Sequence, residues 1–77
     1  MENNYPYWII VRNNKSGGSV RVSMQGERCS YTFNPGDEMR FADERSALKF
    51  MVYAGRDLPV YEGQVGGLRA VKIESGV

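Results

Sequence analysis

Seventy-seven residues, 42% of them hydrophobic and 25% charged, suit one folded domain with one small core and leave no length for a second. Ten Lys plus Arg against nine Asp plus Glu leave a net charge of +1, so no global field draws the chain to nucleic acid or to an anionic membrane. Histidine is absent and Cys29 is the only cysteine, which excludes Ser-His and Cys-His nucleophile pairs and an intramolecular disulfide.

The start MENNYPYW has no positive region before its apolar run and does not read as a signal peptide, and no run approaches membrane-spanning length. A soluble protein of the cytosol is expected. Beyond the polar Glu2, Asn3 and Asn4, the run Tyr7-Trp8-Ile9-Ile10-Val11 is aromatic and β-branched and predicts a strand apolar on both faces, hence central or covered twice. Residues 13–18, NNKSGG, form a turn into Val20-Arg21-Val22-Ser23-Met24, and Gln25-Gly26-Glu27 turns again into Cys29-Ser30-Tyr31-Thr32-Phe33. Both later runs alternate with period two, so a three-stranded antiparallel meander is predicted. Asn34-Pro35-Gly36-Asp37 is the strongest turn signal, with Gly36 supplying a positive φ. Met39-Arg40-Phe41 then reads as a short fourth strand or an extended connector.

A helical period begins at residue 43 and runs to about 54. Asp43 caps it and Gly55 is expected to end it in the left-handed conformation. Ala47, Phe50, Met51 and Ala54 form one stripe at about 100° per residue, which Leu48 and Val52 widen. Such a helix is too short to persist alone, so its stripe must be buried against the strands. Truncating Leu48 or Met51 should then cost about 2–5 kcal/mol. Pro59 marks a loop before a short extended Val60-Tyr61, Gly63 and Gly66-Gly67 break the chain, and 68–73 form the last strand, with 74–77 a tail. The order is β-β-β-(β)-α-(β)-β: an α+β, two-layer domain over residues 1–77, with an antiparallel sheet of four to five strands packed on one helix.

No catalytic, cofactor-binding or metal motif is present. Asp37 and Glu38 read as solvating a turn, Asp43 and Glu44 as offsetting the helix dipole, Cys29 as a small core residue, and the glycine pairs as turns rather than phosphate loops. Five tyrosines, one tryptophan and an excess of arginine over lysine match the residue types that anchor protein interfaces. Trp8 and Ile10, on one side of the first strand, and Tyr53, Arg56 and Tyr61, at the helix end and following loop, are the candidate contacts for a host protein, a host complex or a second copy. A sheet with Arg12, Arg21, Arg28 and Arg40 among its aromatics is the pattern for single-stranded nucleic acid, the alternative partner. An assembly subunit of a larger complex fits the same composition. In size, plan and lack of a catalytic motif the whole chain resembles the small anti-defence proteins of phages and mobile elements, anti-CRISPR proteins among them. The resemblance implies a non-enzymatic inhibitor that binds a host effector complex and blocks its nucleic-acid access or recruitment.

Overall fold

The computed structural model describes residues 5–34 and 36–74; Pro35, Glu2 to Asn4 and the tail beyond Glu74 lie outside them. The fold is the expected α+β two-layer arrangement. Strands β1 (Tyr7–Asn14), β2 (Ser19–Gln25), β3 (Arg28–Thr32) and β4 (Gln64–Ile73) form one antiparallel sheet in the order β3-β2-β1-β4, with α1 (Glu44–Asp57) between β3 and β4 in the chain. β1 is central, as its two apolar faces require. Trp8 and Ile10 point to the helix side, where Ile10, Val22, Cys29, Ala47, Ala54 and Leu58 form the main core. Tyr7, Ile9 and Val11 point the other way and pack with Tyr5, Val71 and Ile73.

The turn at residues 34–37 forms as its sequence demands. The Asp37 N–H donates to the Asn34 carbonyl at 3.2 Å, and Gly36 has φ +96. A Cβ at Gly36 would meet no atom within 4 Å, so substitution there is opposed by backbone strain alone. Gly36→Ala is expected to cost about 1–2 kcal/mol, and Gly36→Val more, in a urea unfolding curve. Equal stability of both variants with the wild type would mean that this turn does not need its positive φ.

Residues 39–41 are not a full strand. β1 and β2 pair only from Val11 to Asn13 and then diverge, and the extended connector enters the gap between them. Trp8 and Phe41 exchange two backbone bonds of 2.8 Å, and the Met39 N–H donates to the Val22 carbonyl at 3.0 Å. Because side chains alternate along extended backbone, Phe41 turns towards the helix, where its ring packs on Phe50 at 5.5 Å, while Glu38 and Arg40 turn to the far face.

Asp43 caps the helix as expected, its carboxylate accepting from the Ser46 N–H at 2.8 Å. The other end differs from the expectation: Gly55 lies inside α1, without a positive φ, and the helix runs on to Asp57. The extra residues are held by tertiary bonds. Asp57 accepts from the Cys29 N–H at 2.6 Å and pairs with Arg28 at 3.5 Å, which offsets the roughly 1 kcal/mol of a helical glycine. The stripe is also narrower than its period suggested. Ala47 and Ala54 are buried and Phe50 and Met51 half-buried, but Leu48 is 47% and Val52 62% exposed. Two alanines on the contact line bring the helix close, so a residue one step around the cylinder clears the sheet.

β4 starts earlier than the glycine pair suggested. Gly66 and Gly67 lie within it, opposite a register shift in which Val11 pairs with Arg69 but Asn13 pairs with Val65. Gly66 at φ +78 absorbs the surplus residues as a bulge rather than ending the strand. Val60-Tyr61, expected as a short extended segment and an optional strand, lies in the loop between α1 and β4 and forms no strand.

Candidate functional site

β3 is an edge strand, and its period-two alternation turns Cys29 and Tyr31 to the helix side and Ser30 and Thr32 to the far side. Tyr31 is the fixed point of this edge. Its hydroxyl donates to the Pro59 carbonyl at 2.8 Å and accepts from Arg12 Nη1 at 2.9 Å, while the Tyr61 ring meets it edge-on at 5.8 Å. Burial raises the Tyr31 pKa, opposed by Arg12, so the hydroxyl keeps the proton its donor bond needs. Just beyond the strand Phe33 stands 77% exposed, and Tyr61 is 58% exposed. Both line an open groove of about 400 Å³ with Tyr31, Asn14, Gln64 and Glu62. A second hollow of about 480 Å³ lies on the other flank of Phe33, lined by Ser23, Gln25, Thr32, Asn34 and Asp37. Phe33 is therefore a ridge between two depressions.

The far face carries a different arrangement. Glu38, expected to solvate a turn, is instead buried: its carboxylate accepts from the Gly36 N–H at 2.8 Å and from Arg40 Nε at 2.9 Å, and lies 3.4 Å from Arg21 Nη1. Burial alone would raise its pKa, but the backbone N–H groups of Glu38 and Gly36 and the Arg40 guanidinium together outweigh burial and lower it. Arg40 stacks over the Tyr7 ring at 4.4 Å, and Ser23 donates to the Asp37 carbonyl at 2.7 Å. On the face opposite the helix Arg40 thus covers the Tyr7 ring, while Tyr5, Val71 and Ile73 pack on Tyr7, Ile9 and Val11. The apolar set Tyr7, Ile9 and Val11 is at most 8% exposed, so the chain itself covers the second apolar face of the strand.

The candidate residues read from sequence separate into distinct places. Ile10 is 0% exposed under the helix and Trp8 is half-buried beside Phe41, so Ile10 offers no surface to a partner. Tyr53 is exposed on the helix with its hydroxyl donating to the Glu27 carbonyl at 3.2 Å, and Arg56 is exposed in the last helical turn. Glu27 precedes the first residue of β3 and Tyr31 stands near its last, so Tyr53 and Tyr61 mark opposite ends of that strand. Of the four arginines, Arg21 and Arg40 meet on Glu38. Arg28 is 81% exposed against Asp57, and Arg12 is buried beside Tyr31 on the helix side. Cys29 is buried with its thiol pKa raised, first by burial and then by Asp57, as a core residue would be. Among the described residues no group of three or more His, Cys, Asp or Glu could hold a metal ion. Among them, too, no helix is long and apolar enough to cross a membrane.

From sequence, Phe33 and Tyr31 stand with Trp8 only as the aromatics interleaved with the arginines of the nucleic-acid alternative, not among the candidate protein contacts. In the alternating run both fall on the inward set, but Phe33 lies one residue past the end of β3, where the alternation no longer fixes its direction. Its position directly before the strong turn at 34–37 is the signal that it leaves the sheet. No family model matches this chain, and neither a curated protein nor a solved structure matches it.

Proposed function

We propose that this chain is a small, non-enzymatic inhibitor of the anti-CRISPR kind, acting in the cytosol of a host cell by binding a defence effector complex and blocking its nucleic-acid access or recruitment. One observation carries the binding part of this reading: two exposed aromatic rings, Phe33 and Tyr61, border one groove whose wall, Tyr31, is fixed by hydrogen bonds. Exposed aromatic side chains at the rim of a groove are of the type on which interface affinity concentrates. The small size and the resemblance of the whole plan to phage anti-defence proteins support the choice of partner. Capture of the partner from a host lysate, followed by calorimetric titration, tests the mode of action. Saturation at a fixed ratio of copies supports it; turnover of a substrate by sub-stoichiometric protein overturns it.

A second reading has its own support. Arg21 and Arg40 share one carboxylate on the far face, leaving a surplus positive charge beside Tyr7 and Tyr5, with Arg69 on the same face. Such a surplus of guanidinium groups on one sheet face suits the phosphates of a nucleic acid. Retention of a short oligonucleotide should then weaken steeply with salt and disappear in Arg21→Ala and Arg40→Ala variants. The inhibitor reading predicts no such retention.

A further inference from the structure

The sheet has two edges, and the chain treats them differently. β3 is five residues long, and the Cys29 N–H on its outer side is taken by the Asp57 carboxylate at 2.6 Å, so the end of α1 plugs that edge. β4 is ten residues long and has no such plug among the described residues. Trp8 gives its N–H and its C=O to Phe41, on the β2 side of β1, so it is Tyr7, Ile9 and Val11 that bond β4, opposite Ile73, Val71 and Arg69. Leu68, Ala70 and Lys72 alternate with these and turn their N–H and C=O groups outward, where none of the backbone bonds among the described residues uses them.

Charged side chains are the usual guard of such an edge, and here both cations are drawn back onto their own chain. Arg69 Nε and Nη2 donate to Asn13 Oδ1 on β1 at 3.3 and 3.1 Å, and Lys72 Nζ lies 3.9 Å from Glu74. Both cores run out to this edge: Leu68 and Ala70 on the helix side and Val71 and Ile73 on the far side are half-buried. The exposed Leu48 lies on the flank of α1 opposite Tyr53 and Asp57, which bond residues 27 and 29, and so faces the β4 side.

We propose that β4 pairs antiparallel with β4 of a second copy about a two-fold axis at Ala70, joining two four-stranded sheets into one. The outward groups are symmetric about Ala70, so a copy meets them with the same three residues: Ala70 opposite Ala70 and Leu68 opposite Lys72, each pair exchanging both backbone bonds. On the far face Arg69 falls opposite Val71, so no like charges stand directly opposed, and the Lys72 stem lies along Leu68. A slip of one pairing step towards the amino end sets Arg69 against Arg69, and a slip the other way carries Leu68 opposite Glu74, beyond the strand. The bulge at Gly66 ends the paired stretch. A second copy is favoured over a segment of another protein because this match of open groups, aliphatic residues and charges is the strand's own. The inference stands apart from the groove of Phe33 and Tyr61, whose lining includes none of residues 68–72.

The test measures mass by sedimentation equilibrium across about a hundredfold range of concentration, together with hydrogen exchange of the Leu68, Ala70 and Lys72 amides. Wild type is expected to pass from one chain to two as concentration rises, with exchange at these amides slowing about tenfold or more. Lys72→Pro removes an outward donor from each copy but no bond to β1, so this variant should stay a single chain throughout. Where it fails to fold, the exchange of the wild-type amides decides. A single chain at every concentration would overturn the proposal, and so would a dimer in which the three amides exchange as fast as in the single chain. Protection of these amides only in the presence of a captured host protein would overturn the choice of a second copy. None of these outcomes touches the groove reading, which falls only if Phe33 and Tyr61 variants bind the partner like wild type.

Discussion

Ile10→Ala is expected to lower the stability of this protein by about 2–5 kcal/mol, a large part of what a domain of this size possesses. Ile10 has no exposed surface and sits on the central strand, in the core that Ala47 and Ala54 of the helix share. Neither alanine is large enough to fill the space a missing side chain would leave, so the cavity persists and its cost adds to the lost burial. Leu48→Ala is expected to change stability by only about 0.5 kcal/mol, in contrast to the larger value its helical position suggested, because the side chain stands 47% exposed. Urea midpoints of the two variants decide the matter. Equal losses would mean that the helix docks on a different stripe.

Glu38→Ala is expected to cost about 1–3 kcal/mol at neutral pH. The carboxylate itself is 2% exposed and holds the Gly36 N–H, so that donor is left without its partner. Arg21 and Arg40 are 39% and 41% exposed, and water screens their share of the loss. A pH signature accompanies it. The folded-state pKa of Glu38 lies below its ordinary 4.5, so near that value the unfolded chain binds the proton more readily. The stabilisation is therefore complete above the unfolded pKa and is lost as pH falls through the folded one. Wild type and Glu38→Gln should differ at neutral pH and converge in acid, as measured by urea unfolding across that range. A difference that stays constant with pH would show that Glu38 works by shape rather than by charge.

Much of the fold was legible because local signals agreed with the global arrangement. The alternation in β2 and β3, the turn at 34–37 and the Asp43 cap each name their structure within a few residues, and the structure shows all of them. What was not legible depended on contacts distant in sequence. Gly55 reads as a helix end until Asp57 is seen bonded to Cys29, 28 residues earlier. The pair Gly66-Gly67 reads as a break until its register against Val11 and Asn13 shows a bulge. Glu38 reads as a solvated acid beside a turn until the connector of residues 39–41 enters the sheet between β1 and β2 and brings it to Arg21.

The candidate site was legible only in part, for the same reason. Tyr61 was picked out by type and position, and it borders the groove. Arg12 read as a candidate contact for nucleic acid, since nothing nearby in sequence shows that it is buried beside Tyr31. Composition favoured aromatic and arginine contacts without placing them; the groove arises where an edge strand, a loop and one residue beyond the strand's end converge.

The most direct test of the central claim is a calorimetric titration of the captured partner with wild type, Phe33→Ala and Tyr61→Ala. Each substitution removes an exposed ring, so the urea midpoint should stay within about 0.5 kcal/mol of wild type. Affinity should fall by at least about 2 kcal/mol, roughly thirtyfold in Kd, for the ring that acts as the anchor. Unchanged affinity in both variants, with the fold intact, would contradict the assignment of this groove as the binding surface.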